Sequence, residues 1–116
     1  MSEFQIYHNP RCSKSRATLA LLQEHGVEPE VIPYLEQPLS AAALKRLLKK
    51  LAVPASALIR RGEPEFKAAG LHAASSEAEL LAAMAAHPKL MERPVVARGE
   101  RAVIGRPPEN VLALLD

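Results

Sequence analysis

Apolar and polar residues alternate along Phe4-Gln5-Ile6-Tyr7 and the alternation stops at Asn9-Pro10, which predicts a short strand. The spacing then turns helical. A helix is expected to start at Cys12 or Ser13 and to run through Ala17, Ala20, Leu21 and Glu24, with Gly26 as the left-handed residue after it. Glu30-Val31-Ile32-Pro33-Tyr34 predicts a second strand, and Pro33, which has no N–H to give a ladder, puts it at an edge or ends it. Strand, helix and strand in so few residues predict a right-handed parallel crossover.

Further on, Ser40 caps a helix whose Leu44, Leu47, Leu48 and Leu51 recur at i, i+3, i+4 and i+7. Its opposite face carries Lys45, Arg46, Lys49 and Lys50, a solvated face or, on a sharper reading, a docking surface for an acidic partner. Pro54 to His72 is expected as short helical pieces broken at Arg60-Arg61-Gly62. Ser76-Glu77-Ala78-Glu79 has capping-box spacing ahead of a third long helix with Leu80, Leu81 and Met84 on its core face, ending at His87-Pro88. In the last third the period changes. Val95-Val96-Ala97 and Ala102-Val103-Ile104 flank Gly99-Glu100, a turn suited to an antiparallel hairpin. Arg106-Pro107-Pro108 then leads into a final helix through Val111, Leu112 and Leu115.

The 116 residues fit one domain with a core of its own, predicted as residues 1–116 with a helical insertion at about 40–90. With 3% aromatic residues among 48% hydrophobic ones, that core must be built from Ala, Leu and Val. A net charge of +2 without aromatic stacking platforms gives no footprint for nucleic acid. No apolar run has membrane-spanning length, and Met1 to Tyr7 reads as strand, not as a secretion signal.

One cysteine, Cys12, changes the picture. It can close no internal disulfide and excludes a zinc site of the paired CxxC kind, so no metal is expected. A lone thiol suits the reducing cytoplasm. It stands at a predicted helix start, where unpaired N–H groups and the positive dipole end favour thiolate over thiol. His8, Arg11, Lys14 and Arg16 lie around it in sequence. That is the setting of a nucleophile; the alternative is a small buried hydrophobe.

The order βαβ, helical segment, ββα, with a cysteine opening the first helix, is the thioredoxin-fold arrangement with helices inserted between its halves. It implies an α/β chain with a mixed four-stranded sheet. His8-Asn9-Pro10-Arg11-Cys12-Ser13-Lys14-Ser15-Arg16, Tyr34-Leu35, Arg60 with Glu63-Pro64, Arg93-Pro94-Val95-Val96 and Gly105-Arg106-Pro107-Pro108-Glu109 follow in order along the chain. In these blocks the sequence resembles the glutaredoxin-coupled arsenate reductases. Longer members carry a tail beyond the position of Asp116, and it holds none of these motifs.

The resemblance implies that Cys12 attacks arsenate, that Arg60, Arg93 and Arg106 bind the oxyanion, that His8 helps to lower the thiol pKa, and that Pro94 follows a cis bond and faces the cysteine. The chemistry of the residues agrees: a thiolate approaching an oxyanion needs fixed positive charge, best supplied by the planar guanidinium fork. Backbone N–H groups after Asn9-Pro10 are expected to cradle the anion, and Ser15, one helical turn on, to donate to the thiolate or the anion. His25, His72 and His87 follow no ligand spacing and read as surface residues. Ser15 occupies the place of a resolving cysteine, so a thiol from outside must finish the reaction. The resemblance supplies glutathione as co-substrate and glutaredoxin as partner, with no bound cofactor. The phosphatase-like arsenate reductases are excluded: they need several cysteines and an arginine six positions after the nucleophile, where this chain has Thr18. Two alternatives remain: a glutathione-dependent thiol transferase without an arsenate role, and a redox-regulated binding module of the same fold docking on the transcription machinery.

Overall fold

The structure, a computed structural model, describes residues 3–115. Four strands form one mixed sheet in the order β2-β1-β3-β4: β1 is Phe4–Tyr7, β2 Glu30–Ile32, β3 Val95–Arg98 and β4 Arg101–Ile104. β1 runs parallel to β2, with Ile6 opposite Val31, and antiparallel to β3, with Ile6 opposite Val96. β3 and β4 make the expected hairpin, with Val96 opposite Val103 and Gly99 at φ 60° in its turn. β2 is an edge strand that stops before Pro33, and its Val31 is 46% exposed. This is the thioredoxin-like fold of the sequence reading, with a helical segment inserted between the two halves of the sheet.

The chain packs as two compact units. One runs to Tyr34 and resumes at Arg93; the other is Leu35–Glu92. In the first, helix α1 (Ser13–Glu24) and the C-terminal segment pack together and enclose a core of Phe4, Ile6, Leu22, Val96, Val111 and Leu114. The C-terminal segment differs from expectation. Pro108–Leu114 is a 3-10 helix, and three residues per turn line up Pro108, Val111 and Leu114 on its buried side. Leu112, which an α-helical period places inward, is 37% exposed.

The second unit contains α2 (Ala41–Leu51), α3 (Ala55–Leu58), α4 (Pro64–Ala68) and α5 (Glu77–Ala86), followed by a 3-10 turn at Pro88–Leu90. α2, α3 and the 3-10 turn all pack on α5. Ser40 caps α2 by accepting from the Ala43 N–H, and Ser76 with Glu79 forms the complete capping box of α5. Leu80, Ala83 and Met84 are buried on α5, whereas Leu81, expected on the core face, is only half-buried. The Glu77 carboxylate accepts from the Ala55 N–H at 3.0 Å, supplying α3 with the cap its own sequence lacks. Among the described residues no helix is long and apolar enough to cross a membrane.

Candidate active site

The turn between β1 and α1 is built by Asn9. Its side-chain oxygen accepts from the Arg11 N–H at 3.0 Å, its carbonyl accepts from the Cys12 N–H at 3.0 Å, and its own N–H donates to Ser15 Oγ at 3.0 Å. An asparagine ahead of Pro10 suits this, since its short amide can mimic a backbone turn. The His8 N–H continues the sheet by donating to the Ile32 carbonyl. Cys12 thereby becomes the N-cap residue of α1, with extended backbone angles. The expected cradle is altered in consequence: the Arg11 and Cys12 N–H groups are already committed to Asn9. It is the N–H groups of Lys14 and Ser15 that face the Cys12 sulfur.

Cys12 is 8% exposed. Its burial works against a charged sulfur. The Ser15 N–H, the Arg93 guanidinium and the Lys14 N–H outweigh that cost and hold the thiol below its ordinary value. Arg106 adds a second guanidinium, with Nη2 3.4 Å from Sγ. The side chains of Arg11, Lys14 and Arg16 are exposed, and Arg16 Nη1 donates to the Pro10 carbonyl at 2.8 Å. The cations beside the thiol therefore come from the far end of the chain, not from its sequence neighbours.

Arg93 and Arg106 are bound to each other: Arg106 Nε donates to the Arg93 carbonyl at 2.6 Å. The Arg93–Pro94 bond is cis, as the resemblance implies, and so is Arg106–Pro107. Gly105 holds this assembly against α1. Its N–H donates to the Pro94 carbonyl at 2.8 Å, and a Cβ at this position would lie 2.8 Å from Thr18 Oγ1 and 2.9 Å from Pro94 Cγ. Thr18, fully buried, donates to the Lys14 carbonyl at 2.8 Å, with the Gly105 carbonyl at 3.4 Å. The sequence places Asn9 at the break after β1 and Gly105 ahead of Arg106, but the contacts that these two residues and Thr18 make are set by the tertiary fold. A glycine at a strand end is a sign of close backbone approach and was the available signal.

The Ser15 hydroxyl is fully buried and engages His8 Nδ1 at 2.6 Å and the Asn9 N–H, so among the described contacts it supports the turn and does not donate to the sulfur. Burial and the positive charge of Arg16 lower the pKa of His8, which favours its neutral ring. Of the other histidines, His25, His72 and His87 are exposed. Arg60 belongs to the second unit. There its Nε pairs with Glu63 at 3.3 Å and its Nη1 with Glu92, and Ile59 and Met91 form an antiparallel bridge beneath it. Among the described residues no group of three or more His, Cys, Asp and Glu side chains is gathered for a metal ion. What the first unit assembles is a buried thiol of lowered pKa beside the guanidinium groups of Arg93 and Arg106, a geometry suited to a small tetrahedral oxyanion.

Comparison with known proteins gives one family model, described as the ArsC family, which matches residues 7–114. The protein YfgD of Escherichia coli K12 is 54% identical over 115 residues, covering 97% of both chains. An arsenate reductase of Neisseria meningitidis is 44% identical over 117 residues, covering 99% of this chain and all of its own. The solved structure of an arsenate reductase from Vibrio cholerae superposes with a TM-score of 0.91 at 49% identity, over 95% of each chain.

Proposed function

This chain belongs to the ArsC family, and from that membership we propose that it reduces arsenate to arsenite, with Cys12 as the attacking thiolate. The observation that carries the proposal is the convergence of Arg93 and Arg106 on Cys12 Sγ. A thiolate and an arsenate oxyanion repel each other. Two guanidinium groups fixed beside the sulfur neutralise the pair and aim a bidentate grip at the anion's oxygens. The resemblance adds Arg60 as a third arginine for the oxyanion.

In the proposed cycle the Cys12 thiolate displaces one arsenate oxygen, which leaves as water after protonation, and forms a sulfur–arsenic bond. A glutathione thiol displaces a second oxygen. A glutaredoxin thiolate then attacks the glutathione sulfur; the sulfur–arsenic electron pair stays on arsenic, which becomes As(III), and a glutaredoxin–glutathione mixed disulfide leaves. Water cleaves the remaining Cys12–arsenic bond, releasing arsenite and the thiol. Ser15 and His8 hold the Asn9 turn that presents Cys12, and Pro94 sets the carbonyl that receives the Gly105 N–H. The cycle uses no bound cofactor. Its dependence on free thiols suits the cytoplasm.

The test is arsenite formation from arsenate with glutathione and glutaredoxin. Wild-type protein is expected to turn over and Cys12→Ser to be inactive; an inactive wild type would overturn the proposal.

A further inference from the structure

Arg106 reaches Cys12 from the turn after β4, and that turn is held by a side chain with no part in the cycle above. Asn110 Nδ2 lies 3.1 Å from the Ile104 carbonyl oxygen and 3.1 Å from the Arg106 carbonyl oxygen. A carboxamide nitrogen carries two hydrogens, so one group can serve both carbonyls. The Asn110 backbone is itself fixed, its N–H donating to the Pro107 carbonyl at 3.0 Å. Between the two bridged carbonyls stands Gly105, the most permissive residue of the turn, whose freedom has to be removed by its neighbours. The Pro94 carbonyl and Thr18 hold Gly105 from the sheet and α1 side, and Asn110 holds the residues on either side of it. With its backbone so fixed, Arg106 extends one guanidinium to both the Arg93 carbonyl and Cys12 Sγ.

We propose that Asn110 is the positioning residue of Arg106: its carboxamide bridge fixes the direction in which the guanidinium leaves the backbone, and so the strength of the anion site over Cys12. This rests on the reading of Arg106 as an oxyanion ligand. Asn110 touches neither the thiol nor the anion, and its effect runs entirely through Arg106.

Two alkylating reagents test it without arsenic. Iodoacetate carries a carboxylate that the arginines attract, and iodoacetamide is its neutral counterpart. Both consume the same thiolate, so the ratio of their second-order rate constants at Cys12 reports the anion site independently of the thiol pKa. Asn110→Ala is expected to lower the ratio about three- to tenfold, the scale of losing such hydrogen bonds. Asn110→Leu, which keeps the branched shape without charge and removes both donors, is expected to do the same. Neither change should lower the ratio further in an Arg106→Ala background. An unchanged ratio in both Asn110 variants, with a lowered one in Arg106→Ala, overturns the role of Asn110 and leaves the arginine site standing. An unchanged ratio in Arg106→Ala overturns the anion role of Arg106 together with the proposal. A wild type that failed to reduce arsenate would leave the alkylation test intact.

Discussion

Against the cost of its burial, Cys12 owes its lowered pKa first to the Ser15 N–H at the start of α1, then to the guanidinium of Arg93, far along the chain, and to the Lys14 N–H. The nucleophile and the helix-start N–H groups that favour its charge are legible from one strand, one turn and one helix start, but the cation beside it is not. Arg11, Lys14 and Arg16 stand out beside it in the chain, yet their side chains are exposed, and the guanidinium of Arg93 is the one that lowers the thiol pKa. Periodicity cannot reveal that placement, because cis Arg93–Pro94 and the Gly105 contact are tertiary facts. Three predictions belong at this scale. Alkylation of Cys12 against pH should show a midpoint below that of a free cysteine, about 8.5. Arg93→Ala should move that midpoint upward and lower kcat/KM for arsenate reduction about a hundredfold or more, measured by steady-state kinetics. The depressed thiol also links to stability. Between its folded value and about 8.5 the unfolded chain binds the extra proton, so stability from this group rises with pH and is lost as pH falls through the folded value. His8 acts in the same direction below about 6.5, since its folded ring resists protonation. Urea unfolding from pH 5 to 9 should show both slopes, and Cys12→Ser should abolish only the upper one.

At the scale of elements, β1, α1, β2, the hairpin and the capped helices α2 and α5 can all be read from alternation, caps and glycines. The C-terminal segment cannot, because Pro108, Val111 and Leu114 satisfy a three-residue period only slightly different from the α-helical one. Packing between elements is where substitutions should be felt. Gly105→Ala places a methyl within 2.8 Å of Thr18 Oγ1 and 2.9 Å of Pro94 Cγ. It should cost about 1–3 kcal/mol in unfolding free energy by denaturant titration, with weaker arsenate turnover because the arginine turn is displaced. The opposite sign is expected at the end of α2. Ala52 holds a left-handed conformation with φ 58°, which costs a side-chain-bearing residue about 1–2 kcal/mol. Ala52→Gly should therefore raise the melting temperature by a few degrees, the shift that follows from about 1 kcal/mol in a chain of this size.

For the whole molecule, the presence of one cysteine among 116 residues sets the stoichiometry of the reaction. Arsenate reduction takes two electrons, and Cys12 has no partner sulfur with which to form an internal disulfide. Mixed with arsenate alone, the protein should release no arsenite; with glutathione and glutaredoxin added, release should become catalytic, as followed by arsenic speciation. The expectation of an outside thiol rests on Ser15 in the resolving position together with the single cysteine, whereas the pairing of Arg60 with Glu92 is not legible in the sequence, since Glu92 lies far along the chain. The same region holds a further consequence. The Arg60 N–H donates to the Leu90 carbonyl and the Glu92 N–H to the Leu58 carbonyl on either side of the Ile59–Met91 bridge, so residues 61–89 form a loop zipped at its own base. In polymer terms the closure cost grows only logarithmically, by about 0.6 kcal/mol for each doubling of length. Extra residues in the exposed turn around Gly70–Ala74 should therefore cost little in closure, whereas α5 cannot be spared, because α2, α3 and the 3-10 turn all pack on it.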